Sequence, residues 1–389
     1  MKKIVILSAF VLAGCFPEPE PIVGLDAKLI VASASPDYAT SDIALIGNTE
    51  EKNDVVVENL VSTTNPSDIR IGFDGSSIYR LGRYGFDNVT KINLNTEQVA
   101  LNVDWQYSVL GDDFSANPYD IILLNSQRGY VSRAGSVALW QINLSAAQES
   151  AFKEAEIDLS TLANAASGNS FMADMEVVDG KLFVLLTGLD DNWSATSNSR
   201  IAVINTATNE LIDTDTTQAG VQGIDLPVRN ASNFTLHQGL LYVSAVGDAY
   251  NYSDTTHKYS GGVVTVNTDT YASTLLIDDG DAASAPYGNV TQVTVSATND
   301  VYFSGSASYG NDHLFVRTDL TGDIAEVKLG EGTYNISSLA SRGAEVYVGV
   351  FAQADGSETA GIHVINATTQ TPIRFIPMSF QPTQIVVVP

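Results

Sequence analysis

The sequence predicts an all-β fold: a closed ring of seven four-stranded sheets, with the last strand of the chain completing the first sheet. Three observations predict it. Thr, Val, Ile, Tyr, Asn, Asp and Gly abound while helix-favouring charge pairs are scarce, a balance suited to strands and turns. One strand–turn pattern of about fifty residues recurs six times. The two ends of the chain carry complementary fragments of a seventh copy.

The chain opens with basic Met1-Lys2-Lys3, an apolar run from Ile4 to Leu12, then Leu12-Ala13-Gly14-Cys15. The run is too short to span a bilayer as a helix. This stretch is similar to the leader and lipobox of bacterial lipoproteins. The resemblance implies cleavage before Cys15, diacylation of its thiol and acylation of the new amino group, which together give stable membrane anchoring. Phe16, where an inner-membrane retention signal would have Asp, points to the outer membrane of a Gram-negative cell envelope, on its periplasmic or its surface side. Residues 1–14 are thus read as a signal peptide, 15–26 as a lipidated Pro- and Glu-rich tether, and 27–389 as the folded body. In "FPEPEPIVGLD" the alternating prolines favour an extended chain.

Each copy of the repeat has an apolar strand, a tight turn, a second strand opening with an aromatic, a variable loop, a third strand ending near Asn or Asp, and a closing strand. Tyr79, Tyr130, Phe183, Tyr242, Tyr302 and Tyr347 mark the second strands; Asn93, Asn143, Asn205, Asn267, Asp319 and Asn366 mark the ends of the third. Asn or Asp there can accept from the backbone two residues on and close the hairpin. Pro66, Pro118, Pro227 and Pro286 precede first strands, where no ladder donor is needed. Strands this short bury their faces only by stacking copies radially. "SRIAVINTATNELIDT" (Ser199–Thr214) and Gly75 to Val99 resemble the YVTN-type repeat of β-propellers, which implies a seven-bladed β-propeller. Six blades run near 65–103, 117–160, 170–217, 226–279, 286–329 and 334–378. The seventh joins "PTQIVVV" at the C-terminus to three strands within Lys28–Leu60. The alternative of eight blades requires "FKEAEIDLSTLANAASG" to hide one; it reads instead as a fourth strand and a helical turn.

In this topology the first-to-second and third-to-fourth turns share one face, and they are short here. The second-to-third loops and the blade connections share the other, and they are long and varied, as binding loops on a rigid scaffold are. On that long-loop rim fall Arg80, Arg83, Tyr84, Trp105, Tyr107 and Arg133 in one sector, and Trp193, Tyr250, Tyr252, His257, Tyr309 and His313 across the ring. Arginine presents a planar fork to oxyanions and stacks on rings, so the first group suits an anionic or aromatic small molecule. The same arginines could equally pair with Asp87, Asp104, Asp112 and Asp113 and tie loops together. The second group suits carbohydrate or protein contact, or the packing of loops.

A formal net charge of −26 excludes generic nucleic-acid binding. Cys15 is the one cysteine, so no intrachain disulfide forms. No nucleophile elbow, P-loop or dinucleotide fingerprint occurs, and the four histidines stand apart. No cofactor is expected, although Asp-rich loops leave room for a structural calcium ion. The reading is a non-enzymatic, lipid-anchored envelope protein that captures a ligand or partner on its rim, in service of an outer-membrane uptake receptor. The alternatives are an envelope scaffold or assembly lipoprotein and a lactonase-like propeller hydrolase; carboxylates converging on the central channel would favour the last.

Overall fold

The computed structural model describes residues 24–389 except 61–65, 96–98, 112–113, 216, 250, 252–253, 354–355 and 357. The leader and Cys15 lie outside the described residues. No helix among those described is long and apolar enough to cross a membrane.

Strands β1 to β28, numbered in chain order, form seven four-stranded antiparallel sheets. The protein is a seven-bladed β-propeller. Its innermost strands are β4 (Ile69–Phe73), β8 (Pro118–Leu123), β12 (Met172–Val178), β16 (Ala231–His237), β20 (Asn289–Val295), β24 (Ile336–Arg342) and β28 (Gln381–Val387). Ring closure is as the sequence predicts. β28 pairs with β1 (Asp26–Ala34) through Leu29↔Val387, Val31↔Ile385 and Ala32↔Gln384. β2 (Ser41–Asn48) and β3 (Val55–Val57) complete that blade. The pairing of Asp26 with Asn48 puts the start of β1 on the short-turn face, and the Val388 N–H bonds the Lys28 carbonyl at 2.9 Å, so the C-terminal end leaves there too.

The hydrophobic core lies between the blades. β13 (Lys181–Leu186) and β17 (Leu240–Ala245) are buried at every residue after the first, which is why their sequences read as continuous apolar runs. One cluster joins Phe183, Leu185, Ile201 and Val203 to Phe234, Leu241, Val243 and Val264 of the next blade. The second-strand tyrosines latch neighbours: Tyr130 donates to Asn209 Oδ1 at 2.8 Å and Tyr302 to the Ala367 carbonyl at 3.4 Å, each one blade on. The predicted Asx turns form; Asn267 Oδ1 accepts from Asp269 N (2.9 Å) and Thr270 N (2.8 Å), and Asn366 and Asn205 repeat the pattern. First-to-second turns such as Asp179-Gly180 and Gln238-Gly239 put two successive residues at positive φ, the geometry that suits two-residue hairpins.

One blade departs from the expected boundaries. Its fourth strand, β15, is only Ile224–Asp225, beyond the expected limit at 217. Residues 211 and 213 make isolated bridges instead, to Ile204 and Gln222. "FKEAEIDLSTLANAASG" holds strand β11 (Lys153–Asp158) and a short 3-10 turn at Ser160–Leu162, so it hides no blade.

Asp279, just past β19 (Ser273–Asp278), is fully buried and accepts from Gly261 N at 3.3 Å. Burial pushes its carboxyl up to about 7. The unfolded chain therefore releases this proton at lower pH than the fold does. The stabilisation is complete below the ordinary carboxylate range and is lost as pH rises through about 7. Asp279→Asn should flatten that decline and gain up to about 4 kcal/mol over wild type at pH 8, with little gain at pH 4. Denaturant unfolding of both proteins at the two pH values checks this; equal differences at both would refute it.

Candidate binding sites on the long-loop face

The structure separates the arginines that the sequence places together. Arg80 lies inside its blade, 4% exposed, with Nη2 donating to Thr90 Oγ1 (3.0 Å) and Gln106 Oε1 (3.4 Å). Arg133 is 1% exposed. It donates to the carbonyls of Val109 (2.9 Å), Leu110 (2.7 Å) and Ala138 (3.2 Å), and its guanidinium stacks 4.3 Å from the Trp140 ring. Both knit strands and a blade connection, and neither faces the rim. Arg83 does reach the face. It pairs with Asp68 at 2.6 Å and lies 4.0 Å from the Tyr119 ring.

Trp105 and Tyr107 belong to the outermost strand β7 (Ala100–Ser108), not to a blade connection. They stack at 4.6 Å, both rings pack on Phe152, and the Tyr107 hydroxyl donates to the Ala146 carbonyl, so they seal the outer seam between two blades. His313 sits in β22 (Asn311–Arg317) and pairs with Glu326 at 2.8 Å. Tyr309 tips the tight turn before it, 89% exposed. The His257 backbone carbonyl accepts from Asp248 N and Ser260 Oγ, which closes its own loop. Tyr250 and Tyr252 lie outside the described residues. Across the ring, therefore, these groups do not gather into one site.

Two of the predicted residues do meet. Tyr84 and Trp193, 63% and 60% exposed, line a cleft of about 440 Å³ over three neighbouring blades. Phe114 and Phe171 complete its aromatic wall, and Asn117, Asn169, Ser115 and Asp191 supply polar atoms. Phe171 and Trp193 pack at 5.8 Å, and both hold positive φ, which turns the rings out of their loops. Phe114 and Phe171 escaped the sequence reading because each stands singly in a polar connection.

The second site is the axial channel, a cavity of about 640 Å³ lined by all seven innermost strands. In six of them a β-bulge interrupts pairing near the long-loop end, at Pro118/Ile121, Met172/Met175, Ala231/Asn233, Val290/Gln292, Ile336/Ser338 and Ser33/Ala32 opposite Pro382/Gln384. Bulges re-aim side chains. The result is one polar residue per blade at matching height: Arg70, Asp120, Asp174, Asn233, Gln292, Ser338 and Gln384. Several of them satisfy the bare inner edge of the next blade. Asp120 accepts from Met175 N (2.9 Å), Asp174 from Phe234 N (2.8 Å) and Gln384 from Ile71 N (2.8 Å). Asn233 donates to Gln292 Oε1 at 2.9 Å. Toward the short-turn face the lining turns apolar at Phe73, Leu123 and Leu236.

Charge in the channel is concentrated on three blades. Burial, then the neighbouring Asp174, raises the Asp120 acid well above the carboxylate range; burial raises Asp174 as well, so the pair holds a proton. Glu176, two residues along the same strand, is pushed by burial up to about 7. Burial alone would raise the Tyr119 phenol, but Arg70 and Arg83 outweigh it and hold it below its usual value. The hydrolase alternative anticipates rim carboxylates converging on the channel, whereas these carboxyl groups reach it from the innermost strands. The signal for them was a polar residue at a constant offset in each first strand. It was hidden among strand residues of ordinary polarity. Among the described residues no group of three or more His, Cys, Asp or Glu could hold a metal ion.

No family model and no curated protein matches the sequence. Solved structures do. A protein of Bacteroides uniformis, provisionally named a 6-phosphogluconolactonase, is 13% identical over 93% of this chain and 100% of its own, with a TM-score of 0.58. A Bacteroides fragilis protein of the same provisional name is 12% identical over 94% and 99%, at 0.59. The virginiamycin B lyase of Staphylococcus aureus, solved with quinupristin, is 11% identical over 85% and 94%, at 0.53. At such identities the likeness is one of fold.

Proposed function

We propose that this protein is a lipid-anchored receptor of the bacterial cell envelope that captures a saccharide on the aromatic cleft of its long-loop face. The observation that carries the reading is that exposed rings of Tyr84, Phe114 and Trp193 surround one cleft beside Asn117, Asn169 and Asp191. Sugar rings present C–H faces that stack on aromatic side chains, and hydroxyls that pair with amides and carboxylates. A cleft of about 440 Å³ fits a short saccharide. Membrane attachment through Cys15 and delivery to an outer-membrane uptake receptor complete the proposal. The neighbours support its scaffold and leave its chemistry to this chain's own residues.

Glycan-array screening of the full chain, followed by calorimetry on the best hit, tests the reading. Trp193→Ala and Tyr84→Ala should each weaken that hit by about ten- to hundredfold, without loss of folding because both side chains are exposed. A chain that binds no glycan, or variants that bind as wild type does, would defeat it. Turnover of a lactone by the full chain would replace capture with catalysis.

A further inference from the structure

The axial channel carries opposite charges that line one cavity and, among the described residues, form no ion pair across it, and we infer that it binds a small zwitterion of the amino-acid class. Arg70 takes the ligand's carboxylate, and the Asp120, Asp174 and Glu176 side takes its ammonium. The inference is independent of the saccharide reading, since it uses a different cavity and shares none of the cleft's residues.

The clamping of blade edges explains Asp120, Asp174 and Gln384, each of which accepts a backbone N–H from the next innermost strand. It does not explain Arg70, which holds the same position in the ring and has no acceptor to offer. Nor does it explain Glu176, whose side chain, among the described residues, bonds only Val177 N of its own strand, at 3.1 Å. Among the described residues no carboxylate forms an ion pair with Arg70, whereas Arg83 at the channel mouth has Asp68 at 2.6 Å. Arg70 lies 5.2 Å from the Tyr119 ring and bonds the Tyr119 side chain, and the rest of its planar fork suits an oxyanion.

Charge balance selects the ligand. One guanidinium faces an acid pair that retains a proton, with Glu176 below. An anion would meet the carboxyl side and a cation would meet Arg70, whereas a zwitterion sets each of its charges against the opposite one. A cavity of about 640 Å³ is ample for such a molecule. Asn233, Gln292 and Gln384 offer both donors and acceptors to orient it. The titratable groups lining the channel are Arg70 on β4, Tyr119 and Asp120 on β8, and Asp174 and Glu176 on β12; the other four innermost strands contribute uncharged side chains. An ammonium favours ionised Glu176, so affinity rises with pH through about 7.

Calorimetry of the full chain against the free proteinogenic amino acids, one at a time, tests this. At least one should bind, and its decarboxylated amine and its deaminated acid should each bind at least about tenfold more weakly. Arg70→Gln and Glu176→Gln should each weaken it by at least about tenfold, Arg70→Lys by less, and Trp193→Ala not at all. Thermal melts monitor folding; should Arg70→Gln fail to fold, Arg70→Lys and Glu176→Gln decide in its place. The inference is overturned if no amino acid binds, if the amine or the acid alone binds as tightly, or if the variants bind as wild type does.

Discussion

Removal of residues 381–389 is expected to leave a chain that does not fold. β28 is the innermost strand of its blade, yet it comes from the opposite end of the chain to β1, β2 and β3. Without it, the edge of β1 loses its ladder from Leu29 to Ala34. The seam to the next blade loses Gln384, which both accepts from Ile71 N (2.8 Å) and donates to the Ile71 carbonyl (3.1 Å). The seam on the other side loses the bond between Ser337 Oγ and the Pro382 carbonyl. Ile385, Val386 and Val387 also leave two apolar clusters. Burial of three such side chains is worth about 5–8 kcal/mol, comparable to the whole stability of a typical domain. A ring gapped in this way exposes unpaired edges and aggregates. Circular dichroism and size-exclusion chromatography of the truncated chain check the expectation; a monomer with native spectra would contradict it. Refolding the truncated chain in the presence of the segment as a peptide should restore structure in part, because strand addition completes the sheet.

The second large effect is expected of Arg133→Ala, at about 3–5 kcal/mol of lost stability. The guanidinium donates to the Val109 and Leu110 carbonyls, for which no other donor is found among the described residues, and its removal strands buried acceptors and takes a stacking partner from Trp140. Arg83→Ala is the control. Its partner Asp68 is half exposed, and although Arg83 itself is 15% exposed and stacks on Tyr119, the loss should stay within about 1–2 kcal/mol. Urea unfolding of the two variants separates them. Similar small losses in both would mean that Arg133 is less committed to its blade than its hydrogen bonds indicate.

The contrast shows why the architecture was readable and the site was not. Strand order, ring closure and the hairpin turns follow from local rules: apolar runs bounded by Asn or Asp turns, and tyrosines at fixed offsets. Such rules act within a few residues, so a single chain displays them. Arg80 and Arg83 are three residues apart, but strand alternation sends one into the blade and the other to the channel mouth. That outcome depends on where β5 (Ser77–Gly82) ends, and a shift of one residue would exchange them. Trp105 and Tyr107 were misplaced for a related reason: β7 is longer than the other outer strands and takes in what reads as a connection. The channel cluster draws on residues 70, 119, 120, 174 and 176, which three blades bring together. Their shared offset within each first strand does not single them out, because other strand residues are of similar polarity. The bulges in β8 and β12 help to turn their carboxyl groups toward the axis, and a bulge leaves a weak imprint on sequence.

Both ends of the folded body emerge on the short-turn face. If a lipidated Cys15 holds the protein to a bilayer, the tether pulls on β1 from below, and the disc stands with its back to the lipid. The aromatic cleft and the channel mouth then look outward, unobstructed by the headgroups. Strain on the tether would also bear directly on the strand that locks the ring, making the anchored blade the one most closely tied to mechanical integrity.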